Sequence, residues 1–216
     1  MQIKIDMKIL IFVLIFFITN QIKIYILLMI FACLHELGHL IFGMILGFKP
    51  YLFEIKPIGF SVSFNNAIED YNKKIKKGNL LELKKIFVYI AGPMVNILVS
   101  FILYFFNIDI LLKVELIYLN LILAFVNLLP IYPLDGGRIL KCILCISYGL
   151  KKSYIITERV SVVVIVLILF ASSILVLKVH NFGLLLIILY LVYIKMIETR
   201  RVERKLALFE LIEMEK

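Results

Sequence analysis

The 216 residues are 63% hydrophobic and only 18% charged, a composition that excludes an ordinary soluble domain and points to one integrated, polytopic membrane domain. A net charge of +9 would suit nucleic acid, yet the basic residues flank apolar stretches instead of lining a soluble face with interleaved aromatics, which excludes that partner. Three cysteines, Cys33, Cys142 and Cys145, are too few and too apolar in setting for a disulfide framework, and Cys142-x-x-Cys145 reads as helix packing.

Judged against the roughly 20 apolar residues needed to cross a bilayer, the hydropathy pattern predicts about six spans. The first runs from about Ile9 to Thr19 and is short unless it recruits Ile3 and Ile5, with Lys4 and Lys8 snorkelling. Its basic start resembles a signal peptide, but Asn20-Gln21 offers no small-residue cleavage site, so a retained helix is expected. The second is Ile24 to Phe48 and the third Ile86 to Phe106. The fourth is about Leu116 to Leu129 with a continuation after Pro133, the fifth Val160 to Leu177 and the sixth Phe182 to Ile197. Between the second and third, Phe53 and Ile55, then Phe60, Val62 and Phe64, alternate with polar or small residues around Pro57-Ile58-Gly59, the pattern of a short hairpin. The stretch from Asp70 to Lys85 reads as a basic interfacial segment in contact with lipid headgroups. The expected fold class is an all-α polytopic membrane protein with about six transmembrane helices and a small membrane-associated β-hairpin, residues 1–198 forming the membrane domain and 199–216 a cytoplasmic amphipathic tail.

Lysine and arginine asymmetry orients these spans. Eight lysines, Lys49 to Lys85, lie between the second and third spans, and Arg138, Lys141, Lys151, Lys152 and Arg159 between the fourth and fifth. Only Lys23, Lys113 and Lys178 oppose them. The chain is therefore expected to be a multi-pass cell-membrane protein with both termini in the cytoplasm, in agreement with the basic tail at Arg200, Arg201, Arg204 and Lys205.

Within the second span stands His35-Glu36-Leu37-Gly38-His39. Histidines four apart project from one helical face, so both imidazoles can reach one Zn²⁺, and the intervening glutamate can act on water beside it. A pair of core histidines alone would leave unexplained an intramembrane glutamate, which costs about 2.5–3.5 kcal/mol at a helix centre. His39 lies ten residues before Lys49, which places a metal about 15 Å below the cytoplasmic boundary. Such a site needs a third protein ligand and an open fourth position. Glu54 falls in a strand-like stretch, Glu69-Asp70 opens a lysine-rich loop, and Asp109, Glu115 and His180 fall near the opposite face. Asp135 remains, beside a break of the fourth span by Pro130 and Pro133 and followed by Gly136-Gly137. Lipid tolerates such a break only where protein or a watery cavity surrounds it. An N-cap of the following helix is the alternative role for Asp135, and one compatible with metal binding.

Three motifs then stand in register: His35 to His39, Ala91-Gly92-Pro93-Met94-Val95-Asn96, and Asn127 through Arg138. In these the chain resembles the site-2 protease family of intramembrane zinc metalloproteases, in particular its stage IV sporulation FB branch, over nearly its whole length. The resemblance implies one Zn²⁺ per chain held by His35, His39 and Asp135, with Glu36 as general base and then acid. It implies that Asn127 and Pro133 shape the site around the scissile bond, with Asn127 beside the developing oxyanion, and that Gly92-Pro93 and Asn96 help pack the third span against the catalytic core; small residues at a helix interface plus one interhelical hydrogen bond are the plainer reading of the same motif. A nucleotide-sensing CBS domain, carried by many members, is not expected where only Glu198 to Lys216 follows the last span.

The implied function is zinc-dependent intramembrane endoproteolysis of a membrane-associated or transmembrane protein near the cytoplasmic face, in regulated sigma-factor activation. A pro-sigma or anti-sigma factor is the expected type of substrate, with the lipid bilayer and membrane inhibitor proteins as further partners. The Tyr51 to Phe64 hairpin would hold unwound substrate by β-augmentation, as similar membrane-dipping strands in the family are thought to do. Two alternatives are a polytopic metal transporter, which the lack of an internal repeat or second histidine cluster disfavours, and an inactive scaffold of the same fold, which has no need of an intact Glu36.

Overall fold

The computed structural model describes residues 2–57, 59–65, 75–106, 109–179, 192–204 and 206–207, in two compact units, Met1–Leu128 and Leu129–Lys216.

The first unit opens with β1 (Gln2–Ile5), α1 (Ile9–Ile18) and α2 (Ile22–Ile45). The buried positions of α2, which include Phe31, His35, Gly38 and His39, follow three- and four-residue spacing and so form one inward face. The helix ends in a Schellman turn: Gly47 takes φ +89°, Phe48 N–H donates to Gly43 O at 2.9 Å and Gly47 N–H to Met44 O at 3.0 Å. Only glycine adopts that conformation without strain, and the turn sends the chain directly into a strand.

That strand is β2 (Lys49–Lys56), which pairs antiparallel with β3 (Gly59–Asn65). Leu52 faces Ser63, Phe53 faces Val62 and Ile55 faces Phe60. The expected hairpin is present, but it belongs to a three-stranded sheet in the order β1-β2-β3. Ile3 and Ile5 do not lengthen the first helix; they lie in β1, which runs parallel to β2 with Ile3 opposite Phe53. Lys4 and Lys56 both pair with Glu54, at 3.7 and 3.4 Å. The sheet is fastened along α2. Tyr25 Oη donates to Pro57 O at 2.8 Å, Gly59 N–H points to Met29 Sδ at 3.4 Å, and a Cβ at Gly43 would stand 2.5 Å from the Phe64 ring. Contacts at Met29 and Gly43 bracket the helix turns between them, so β3 runs alongside the part of α2 that carries His35 and His39.

α3 (Ile75–Phe105) and α4 (Ile110–Leu128) complete this unit, α3 packing on α2 and α4 on α3. Gly38 sets the approach of α2 to α3: a Cβ there would stand 2.8 Å from Val95 Cγ2 and 2.9 Å from Ala91 O, the small-residue contact by which membrane helices come close. Asn96 and Asn120 are both 0% exposed. The interhelical hydrogen bond expected of Asn96 is not made, since neither carboxamide atom has a hydrogen-bond partner among the described residues. Its backbone carbonyl accepts from Ser100 Oγ at 3.0 Å.

The second unit contains α5 (Asp135–Tyr148) and α6 (Leu150–Val179), packed together, and a helical stretch at 192–204. Lys195 Nζ reaches Glu158 at 2.6 Å, and Thr199 Oγ1 donates to the same carboxylate at 2.6 Å.

Among the described residues four helices are long and apolar enough to span a bilayer: Ile22–Ile45, Asn79–Phe105, Ile110–Leu128 and Leu150–Phe170. These agree with predicted spans two to five, although α4 and α6 begin earlier, taking Lys113, Glu115 and Lys151 into helix. α1 is a ten-residue apolar helix, about half of crossing length. The continuation after Pro133 is the separate 14-residue α5. Of the sixth predicted span, residues 182–191 lie outside the described residues, as do Glu69, Asp70, His180 and 208–216.

Candidate metal centre

In the first unit, α2 carries His35 and His39 on its buried face, each 4% exposed. The four-residue spacing sets their rings edge to face, with centroids 4.8 Å apart and planes at 83°. His39 Nδ1 lies 2.7 Å from Val88 O on α3. A carbonyl can only accept, so Nδ1 carries the proton and donates, which in the neutral ring makes Nε2 the lone-pair nitrogen, the one suited to a cation. That Nε2 faces His35 Nε2 at 3.1 Å. Two nitrogens held by one tetrahedral Zn²⁺ at about 2.0–2.1 Å stand about 3.3–3.4 Å apart, so the pair is close to ligating separation.

Space as well as donors is provided. A Cβ at Gly92 on α3 would lie 2.6 Å from His35 Nε2 and nearer still to His39 Nε2, so a side chain at this position would fill the place toward which both nitrogens converge. Paired imidazole nitrogens, a fixed tautomer and a cradle kept clear by glycine fit a zinc ion. Sequence reasoning assigned Gly92 to helix packing and missed this role, because the contact depends on how α3 lies against α2. Glu36, the next residue along α2 from His35, is half-buried. Six residues separate His39 from the end of α2 at Ile45, about 9 Å of helix.

The other residues singled out from sequence take the following places. Glu54 is engaged by Lys4 and Lys56 in the sheet, and Glu115 lies 3.3 Å from Lys23. Asn127, in the last turn of α4, donates from Nδ2 to Leu123 O at 3.0 Å, which uses one of its two amide protons. In the second unit, Asp135 is the first residue of α5 and is 5% exposed. It is not the N-cap: Leu134 occupies that position with extended φ −62°, ψ 163° and no side-chain cap. A carboxylate in the first turn is favoured by the exposed N–H groups and the helix dipole. Arg138 Nη1 lies 3.9 Å from Asp135 Oδ1. Pro133 is half-buried in the 129–134 segment, after a cis Tyr132–Pro133 bond.

The long apolar helices describe a multi-pass membrane protein, one of them carrying a buried histidine pair, and comparison with known proteins shows what it is similar to. Residues 110–171 match the model of peptidase family M50. A zinc metalloprotease of Methanocaldococcus jannaschii is 36% identical over 137 residues, 60% of this chain and 37% of that protein. Stage IV sporulation protein FB of Bacillus subtilis is 27% identical over 152 residues, 66% of this chain and 48% of that protein. The solved structure of a site-2 protease from M. jannaschii superposes with a TM-score of 0.63 at 29% identity, covering 88% of this chain and 87% of that one. The chain is thus similar to a site-2 protease over most of its length, and to the M50 peptidase family over residues 110–171. The aligned regions span less than half the length of either curated relative.

Proposed function

We propose that this chain is a zinc-dependent intramembrane endopeptidase that cuts a membrane-associated or transmembrane protein near the cytoplasmic face. The observation that carries this reading is the buried pair of Nε2 atoms, 3.1 Å apart, with one ring fixed through Val88 O and Gly92 beside both. His35, His39 and Asp135 are the proposed ligands. Asp135 is a buried carboxylate at the start of α5, and a carboxylate is a ligand type that zinc accepts beside imidazole.

When bound, the ion supplies Lewis acidity, easing loss of a proton from water and polarising a peptide carbonyl. Glu36 takes the proton of the attacking water and returns it to the leaving amine, the same carboxylate serving as base and then acid. Asn127 offers its remaining amide N–H to the carbonyl oxygen as charge develops there, and Pro133 shapes the path of the substrate chain. A substrate helix hides its carbonyls in its own hydrogen bonds and must unwind before attack. β3, at one edge of the sheet and alongside the His35–His39 turns, offers backbone groups to an extended peptide.

Both termini are placed in the cytoplasm by the lysine and arginine asymmetry. The likeness to stage IV sporulation protein FB supports a pro-sigma factor as the substrate type, with membrane proteins restraining the activity. Co-expression with membrane-tethered pro-sigma and anti-sigma substrates, scored for a cleavage product that disappears on zinc removal, tests this proposal. No product from any such substrate would refute the sigma-factor assignment.

A further inference from the structure

The 129–134 segment has to place Asp135 while carrying two prolines in a membrane-embedded chain, where every unsatisfied backbone donor is costly. Pro130 and Pro133 have no N–H. Ile131 N–H donates to Leu129 O and Leu134 N–H to Ile131 O, each at 2.7 Å. Of the N–H groups from 130 to 134, only that of Tyr132 leaves the segment, and it donates to Ser161 Oγ on α6 at 2.9 Å. Ser161 is 0% exposed, and its own proton is committed to Thr157 O at 2.7 Å, which turns an oxygen lone pair toward Tyr132. Gly137 lets the peptide lie against the first turn of α5, since a Cβ there would stand 2.5 Å from Ile131 O. Lys141 Nζ lies 3.8 Å from the Tyr154 ring centroid and 5.5 Å from that of Tyr132.

We propose that Ser161 is a positioning residue for Asp135: it is the external backbone tether of the segment that delivers this carboxylate, and it thereby pre-orders the metal site. The inference rests on Asp135 being a ligand, as proposed above. Between Tyr132 and Asp135 stand a ring-locked proline and Leu134, itself bonded back to Ile131. A shift at the Tyr132 N–H is therefore carried to the start of α5 rather than absorbed on the way.

The test uses the purified full chain in nanodiscs, with zinc affinity measured by chelator competition and the visible spectrum recorded with Co²⁺ in place of zinc. Ser161→Ala removes the acceptor. Ser153→Ala is the control, because Ser153 is equally buried but its hydroxyl donates within its own helix, to Leu150 O at 2.7 Å. Asp135→Asn reports on the ligand assignment itself. We expect Ser161→Ala to bind zinc about tenfold or more weakly and to shift the Co²⁺ bands, Ser153→Ala to match wild type, and Asp135→Asn to be depleted of metal. Ser161→Cys, which exchanges a hydroxyl acceptor for a weak sulfur one, reads out the same loss should the alanine variant fail to fold. Wild-type affinity and spectrum in the Ser161 variants, with Asp135→Asn depleted, would overturn the positioning role alone. Wild-type zinc binding by Asp135→Asn would overturn the ligand assignment and the positioning role with it.

Discussion

Replacing Gly92 with alanine tests the clear face beside the two histidines. The added Cβ would meet His35 Nε2 at 2.6 Å, where ordinary contact begins at 3.4 Å, an overlap of about 0.8 Å (3.4 − 2.6). Neither side can yield freely. His39 is tied to Val88 O, and at Gly38 the α2 backbone already lies in close approach to Ala91 O. Overpacking of this kind costs about 1–3 kcal/mol. Borne by the liganded geometry, that is about a 5- to 150-fold loss of zinc affinity at roughly 1.4 kcal/mol per decade. Chelator competition on purified protein measures it, with circular dichroism as the check on folding. Gly43→Ala is the matched control, because its Cβ would stand 2.5 Å from the Phe64 ring and strain the contact between α2 and β3 without touching a histidine. Gly92→Ala should lose zinc while Gly43→Ala keeps it. Wild-type affinity in Gly92→Ala, or equal losses in the two variants, would refute the reasoning.

Tyr25→Phe removes a buried donor to Pro57 O and should lower stability by about 1–3 kcal/mol in thermal melting, with zinc binding unchanged. Proline at Val62, opposite Phe53 in the hairpin, removes a donor from β3 and should slow cleavage while leaving bound zinc intact; unchanged turnover would reduce β3 to a membrane anchor. Glu54→Gln should keep full metal content, since Glu54 serves Lys4 and Lys56 in the sheet, and loss of zinc there would bring Glu54 back as a ligand candidate.

The sequence revealed most where function follows from local periodicity. Histidines four apart on an apolar helix must share a face, so the His35–His39 pair was legible from spacing alone. The hairpin was legible for the same reason, with a period of two interrupted at Pro57 and Gly59. Pairings distant in sequence were not. β1 holds four residues, too few to show a period, and its partner β2 lies about fifty positions further on. The roles of Gly92 and Val88 depend on the depth at which α3 meets α2, which no pattern within α3 encodes. α4 and α6 begin before the apolar spans that hydropathy marks, because long lysine stems and the Lys23–Glu115 pair let these helices carry charge at their ends. Asp135 was found as the carboxylate at a broken span, but its position inside the first turn instead of at the N-cap depends on the extended conformation of Leu134.

The most direct test of the proposed chemistry is the rate of peptide-bond cleavage by zinc-loaded Glu36→Gln protein, beside wild type, on a membrane-tethered substrate in nanodiscs. An amide can hold water by hydrogen bonding but cannot take its proton, so the variant should retain zinc and fold while cleavage falls to background. Cleavage by Glu36→Gln at the wild-type rate would contradict the assignment of Glu36 as the base, and with it the endopeptidase mechanism proposed for this site.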